Sequence, residues 1–251
     1  MTPLKTLIAS LVGVVLASLA PAVSGAPVVV ELFTSEGCSS CPPADALLAT
    51  LNQRGVVNGT EVLALGEHVD YWNHLGWTDR FSSPTFTQRQ ESYAKRFGLS
   101  SAYTPQMVID GRFEAAGNDS GLVEREISRA AGLAKTATVT LSLTGGNAVQ
   151  VAVEGAGGEP SAVLLAITED SLTSSVARGE NGGRTLRHSA VVRELSTLGS
   201  TSAGMFRGTV PLTLPASWKA PDLRVVVFVQ RPGNREIVGA ASVKYHERQP
   251  Q

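Results

Sequence analysis

Cysteine is nearly absent from this 251-residue chain: Cys38 and Cys41 are the only two. Two are too few for a disulfide scaffold or a four-cysteine zinc site. No charge of one sign dominates, with 21 Lys and Arg against 22 Asp and Glu. Without a basic excess or a Lys/Arg run, a nucleic-acid-binding surface is not expected. Beyond the first few dozen residues no apolar run is long enough to span a bilayer, which takes ~20 residues. No Ser nucleophile elbow is present. The Gly-rich stretch 179–184 (GENGGR) lacks the Lys and following helix of a phosphate-binding loop. It reads as a structural loop able to face the first half of the chain, and no cofactor is expected. What remains is ordinary globular composition, 43% hydrophobic and 17% charged, too apolar for disorder.

Lys5 is the only charged side chain in residues 1–26, an apolar run follows from Leu7 to Leu19, and Ser24-Gly25-Ala26 precedes Pro27. A positive start, a short apolar middle and small residues at the end predict a signal peptide over 1–26, cut after Ala26. The expected mature protein is periplasmic or secreted, free of the membrane, in a compartment where disulfides persist.

Hydrophobic patterning then predicts strand, helix, strand, helix, strand, helix. Strands are expected at Pro27–Phe33, Glu61–Val69 and Gln106–Asp110, with helices at Ala44–Gln53, Pro84–Phe97 and from an Asn118 or Asp119 cap to Ala134. That alternation favours an α/β layer fold. From about residue 136 the pattern is short alternating strands. They lie at Ala137–Leu143, Ala148–Glu154, Ala162–Thr168, Leu186–Val192, Met205–Leu214, Leu223–Gln230 and Glu236–Val243. They predict an antiparallel sandwich. The expected organisation is a signal peptide (1–26), an α/β domain (27–135) and a β-sandwich-like domain (136–251).

The chemistry concentrates at Cys38-Ser39-Ser40-Cys41, directly after a strand and before a helix. Two residues in a tight turn bring the sulfurs within bonding distance, and N–H groups at the helix start favour thiolate at the first cysteine. Pro42 and Pro43 lack N–H groups and fit only in a first helical turn. The competing reading is a structural disulfide. A bridge across two residues restrains the unfolded chain little, so redox chemistry is preferred. Cys38 is the expected attacking thiol and Cys41 the resolving one. Glu31, inside an apolar strand, is a candidate proton relay if it faces Cys41; otherwise it leaves the strand's edge. Glu36 reads as a solvated turn residue. His68, Asp70, Tyr71, Trp72, His74 and Trp77 crowd the end of the second strand. They read as a packed aromatic loop, with copper binding beside the cysteines as the alternative. No resident metal is expected. Trp72 and Trp77 are candidate walls of a groove beside Cys38.

Four motifs carry a resemblance: CSSCPPAD at 38–45, HVDYWNHLGW at 68–77, YTPQMVIDG at 103–111 and GENGGRTLRH at 179–188. With these the chain resembles a bacterial family of secreted thioredoxin-like proteins of unknown function. The resemblance implies a thioredoxin-like α/β domain followed by an all-β antiparallel sandwich. It also implies that Thr104-Pro105 is the cis-proline segment that lies against the C-x-x-C and meets substrate backbone, adding Pro105 to the catalytic set and Thr104 to the groove. No Trp precedes Cys38, so the reducing potential of thioredoxin is not implied. Three functions stay open: a thiol–disulfide oxidoreductase acting on exported protein thiols or a redox partner protein, a binding or assembly module with an idle disulfide, and a copper-handling protein.

Overall fold

The computed structural model describes residues 25–245. Nearly all of the expected signal segment, residues 1–24, lies outside them.

The first half forms β1 (Val28–Thr34), α1 (Pro42–Arg54), the short β2 (Val56–Val57), β3 (Thr60–His68), α2 (Pro84–Phe97), β4 (Gln106–Ile109), β5 (Phe113–Ala116) and α3 (Ser120–Ala131). α1 opens on the two prolines, where no intrahelical N–H is lost. Its end is set by Gly55 in the left-handed region, φ 64°. Ser83 caps α2 by accepting from Thr85 N–H, and Asp119 caps α3 by accepting from Leu122 N–H. The second half forms β6 (Thr138–Thr144), β7 (Ala148–Glu154), β8 (Ala162–Glu169), β9 (Leu172–Ser175), β10 (Thr185–His188), β11 (Val191–Ser200), β12 (Phe206–Pro211), β13 (Leu223–Gln230) and β14 (Ile237–Lys244). The turn between β6 and β7 is made by Gly145 and Gly146, both at positive φ.

The expected fold class, a thioredoxin-like α/β domain followed by a separate all-β sandwich, is overturned by the sheet. One mixed sheet runs β14-β13-β8-β11-β3-β1-β4-β5, with β2 paired to β3 as its ninth strand. Strands from both sides of residue 135 thus share one sheet. The join is narrow: β11 meets β3 at Val191 opposite Gly66, and Gly66 N–H donates to Ala190 O at 2.7 Å. A Cβ on Gly66 would stand 3.3 Å from Leu48 Cδ2 and 3.4 Å from the carbonyls of Ser189 and Ala190, so the join is closely packed on both sides. The expected strand Leu186–Val192 is likewise two elements. β10 pairs with β9 in a separate ribbon, while β11 turns into the main sheet through Ala190 at φ 51°.

Strand alternation sorts most of the core into three regions. Val28, Val30 and Leu32 of β1 pack with Leu48 and Leu51 of α1 and Val123 and Ile127 of α3. On the opposite face, Val29 and Phe33 pack with Phe86 and Tyr93 of α2, and with Leu164, Val226 and Phe228 from the second half. One apolar cluster therefore spans both halves, which is why they share a layer instead of closing two cores. Beyond α1, the sheet's other face is covered by β12-β7-β6, where Val149, Val151 and Val153 meet Val163, Leu165, Val225 and Val227.

Gly111 marks a second crossing between the halves. It lies at φ +63°, and a Cβ there would sit 2.0 Å from Arg235 O, a backbone atom. Gly111→Ala is expected to lower stability by roughly 2–3 kcal/mol, combining left-handed strain with a backbone clash. Urea unfolding measures it; a loss under about 0.5 kcal/mol would show that the 231–237 turn yields freely.

Candidate functional site

The site is built where β1 ends. Cys38 N–H donates to Ser35 O and Cys41 N–H to Cys38 O, each at 3.2 Å, giving two successive tight turns. Ala44 and Asp45 N–H then donate to Cys41 O, starting α1. Cys38 and Cys41 are joined in a disulfide. Both are 0% exposed, while Ser39 and Ser40 between them are exposed. Ser40 Oγ lies 3.4 Å from Cys38 Sγ.

Two tryptophans flank this loop. Trp72 Nε1 donates to Thr104 Oγ1 at 2.8 Å, and its Cβ lies 3.0 Å from where a Gly37 Cβ would project. Trp72 therefore bridges the cysteine loop and the Thr104–Pro105 segment. Trp77 Nε1 donates to Glu36 Oε2 at 2.7 Å. The Thr104–Pro105 bond is cis, and Pro105 is buried. A Cβ at Gly117 would be 3.0 Å from Ala44 Cβ and 3.1 Å from Pro105 Cβ. Pro105 thus stands beside the first turn of α1.

Glu31 is not brought to the cysteines. Alternation along β1 turns Leu32 toward α1 and Glu31 toward α2. There its Oε1 accepts from Arg89 Nε and its Oε2 from Tyr93 OH, both at 2.6 Å.

The ionisable groups that do lie at the cysteine loop were mostly not legible in the sequence. Glu36 is fully buried, not a solvated turn residue. Its backbone N–H donates to Asp79 Oδ2 at 2.9 Å, and that same oxygen lies 2.6 Å from His68 Nδ1. His188 Nε2 is 3.2 Å from Glu36 Oε1, an ion-pair distance with poor hydrogen-bond alignment. The two imidazoles meet edge to face, with centroids 4.9 Å apart. Asp45, one turn into α1, accepts from Thr34 Oγ1 at 2.8 Å.

Burial sets this cluster's electrostatics, and its partners decide each outcome. Burial works against ionisation of Asp79, but the His68 charge and the hydrogen bonds it accepts hold its carboxyl below the ordinary range. Burial would likewise discharge His68, yet Asp79 holds its imidazolium above the ordinary value. Burial opposes the Glu36 charge, and contacts from His188 and Trp77 still keep its carboxyl low. At Asp45 burial prevails and the carboxyl is pushed up. His74 is exposed and its Nδ1 meets Tyr71 O at 2.7 Å. Among the described residues no three His, Cys, Asp or Glu side chains converge as a metal-binding group.

The second half reaches this site directly. Asn181, fully buried, donates through Nδ2 to Glu36 O and to Cys38 O, both at 2.9 Å. Arg184 holds its Oδ1 at 2.7 Å. Glu180 Oε2 accepts from Ser39 N–H at 2.9 Å. The 179–184 loop thus straps the cysteine loop. The only local signal for it was turn chemistry: Gly179 and Gly183 both lie at positive φ.

Fold and site together define a mixed-sheet protein with a disulfide-closed C-x-x-C loop at its first strand–helix junction. The chain belongs to the family described as protein of unknown function (DUF1223), whose sequence profile matches residues 29–230. A crystal structure of a protein from Agrobacterium tumefaciens is similar at 29% identity, covering 91% of this chain and 98% of that one, with a TM-score of 0.73. HBP35 of Porphyromonas gingivalis shares 18% identity over 90% of this chain and 77% of its own, with a TM-score of 0.65, a likeness of fold alone. No curated protein matches the sequence.

Proposed function

We propose that the protein is an extracytoplasmic thiol–disulfide oxidoreductase working through Cys38 and Cys41 on exported protein thiols or a redox partner. The observation that carries this reading is the disulfide's place, closing a three-residue separation between the end of β1 and the first turn of α1. So short a loop restrains the unfolded chain little, so stapling is a poor reason for it. Work outside the cytoplasm is supported by the disulfide and by the Lys5-led apolar segment before Pro27.

The exchange runs as follows. An incoming thiolate bonds to Cys38 Sγ, the Cys38–Cys41 bond breaks, and Cys41 leaves with the electron pair. The partner's second thiolate then displaces Cys38, leaving a reduced pair and an oxidised partner; the reverse sequence oxidises a dithiol. Both sulfurs are buried, so the incoming thiol reaches Cys38 once the surrounding loops part. That same burial favours one second reading, a binding or assembly module with a structural disulfide.

Trapping separates the two. Cys41→Ser is expected to accumulate mixed disulfides with exported proteins through Cys38, and Cys38→Ser to accumulate few. Insulin reduction should be lost in both variants. Wild-type protein that neither reduces insulin nor exchanges with any protein dithiol, with no adduct on either variant, decides for the structural reading.

A further inference from the structure

We propose that Glu180 is a positioning residue that sets the redox balance of the Cys38–Cys41 pair from the other half of the chain, by occupying the Ser39 N–H with a carboxylate. The proposal rests on the redox reading above for its use, and on geometry alone for its mechanism.

When the disulfide is reduced, the form that matters is the Cys38 thiolate. A thiolate ahead of a helix is ordinarily stabilised by the N–H groups that follow it. At this loop two of those donors are committed, leaving the Ser40 N–H. Ser39 N–H is held by Glu180 Oε2 at 2.9 Å, and Cys41 N–H by Cys38 O at 3.2 Å. Positions 42 and 43 are prolines and have none. Ser40 Oγ, 3.4 Å from Cys38 Sγ, is the nearby side-chain donor. The Glu180 carboxylate does more than remove a donor: it sets a negative charge at the residue next to Cys38. Its bond to Ser39 in turn holds the Glu180 carboxyl below the ordinary value, so it is charged wherever a thiolate could form. The contact is made across 141 residues of sequence. Asn181, bonded beside it to the carbonyls of Glu36 and Cys38, fixes the strap in place.

The direction follows from the charges. A carboxylate beside Cys38 disfavours its thiolate, hence the reduced form, and makes the disulfide harder to reduce. Taking that charge away should lower the Cys38 thiol pKa and make the pair more oxidising, since a stabilised thiolate stabilises the dithiol state. The other ionisable groups around the loop are Glu36 on the loop itself, Asp45 on α1, His68 on β3, Asp79 after Trp77, His188 on β10, and Arg184 on the strap. None of them is altered chemically by a substitution at Glu180 alone.

The test equilibrates the full chain with glutathione. Two glutathione thiols supply two electrons to the Cys38–Cys41 bond and leave as glutathione disulfide; the protein retains two thiols, Cys38 partly as thiolate. Glu180→Gln keeps an acceptor for Ser39 N–H but no charge, while Glu180→Ala removes both. Each is expected to shift the equilibrium at least about threefold toward the reduced protein, about 14 mV for this two-electron couple. The thiolate absorbance at 240 nm should titrate at lower pH. Because Glu180 is exposed, the difference from wild type should shrink as salt is raised from roughly 0.01 M to 1 M. An unchanged equilibrium and an unchanged Cys38 titration in Glu180→Gln overturn the proposal, as does a shift of opposite sign. These quantities exist whether or not the protein turns over a substrate. Loss of insulin reduction in wild type would therefore count against the oxidoreductase reading, and an unmoved equilibrium against Glu180.

Discussion

Replacing Arg89 by leucine is expected to destabilise the protein by about 3–5 kcal/mol, the cost of leaving one member of a buried ion pair without its partner. Arg89 is 5% exposed, and its guanidinium reaches four elements. Nε donates to Glu31 Oε1 on β1 at 2.6 Å, Nη1 to Gln230 Oε1 on β13 at 3.1 Å, and Nη2 to Tyr93 OH on its own helix at 3.1 Å. Glu67 Oε1 on β3 stands 3.5 Å away. The cation also lies 5.2 Å from the Tyr93 ring and 5.3 Å from that of Phe228, adding desolvated cation–π contacts. Without Arg89, two buried carboxyl groups face each other. Burial, then the neighbouring Glu31, already pushes the Glu67 carboxyl well above its ordinary value, against the pull of the Arg89 charge. Glu31 would keep only Tyr93 OH as a partner in a buried site. Arg89→Lys should recover only part of the loss, since an ammonium cannot serve partners fanned around a planar fork. Urea unfolding followed by intrinsic fluorescence reads both variants. A loss below about 1 kcal/mol in the leucine variant would mean that the network adds nothing over an apolar side chain of similar size.

The same network shows where the sequence stopped being informative. β1, α2 and the C-x-x-C junction are legible because their signals are local. These are an apolar, β-branched run interrupted only by Glu31, a polar, Gln-rich and aromatic-dotted stretch from Pro84 to Phe97, and two cysteines bracketing a turn before prolines. α2 spans Pro84–Phe97 as the pattern predicts. Lateral pairing is not local. β3 reads as an internal strand from its near-continuous burial. Nothing in its residues says that its outer neighbour is β11, more than a hundred positions away. That missing neighbour is the reason an independent sandwich was expected. Glu31 fails for a related reason: alternation places Glu31 and Leu32 on opposite faces of β1 but does not say which face α1 takes. Glu36 and Asn181 meet across 145 residues. Their burial is settled only when the strap closes over the cysteine loop, so a polar turn composition misreports it.

The second large effect is expected at Asp79, and its signature is a pH window. Asp79 Oδ2 accepts from Glu36 N–H and lies against His68 Nδ1, while Oδ1 accepts from Phe81 N–H at 2.9 Å. Asp79→Asn removes the charge facing His68 and sets an amide against one of these N–H donors. A loss of about 3–5 kcal/mol at pH 5.5 is expected on the precedent of broken buried pairs. The sign comes from linkage. The folded state holds the Asp79 carboxyl below its ordinary 3.8, so this contribution is complete above about that pH and is lost as pH falls through the lowered value. It holds the His68 imidazolium above its ordinary 6.5, so that contribution is complete below about 6.5 and is lost as pH rises through the raised value. The pair therefore stabilises most between these limits. The gap between wild type and Asp79→Asn should be widest near pH 5.5 and narrower at pH 9 and at pH 3. It should not vanish at high pH, because the bonds to Glu36 and Phe81 N–H do not depend on His68 charge. Unfolding free energies measured at the three pH values decide it: an equal gap throughout would mean that His68 and Asp79 are not a charged pair in the folded protein. Because Glu36 N–H is one of the Asp79 donors, the substitution should also loosen the turn that carries Cys38. Reduction of the disulfide by dithiothreitol should then run faster in Asp79→Asn than in wild type at matched folded fraction.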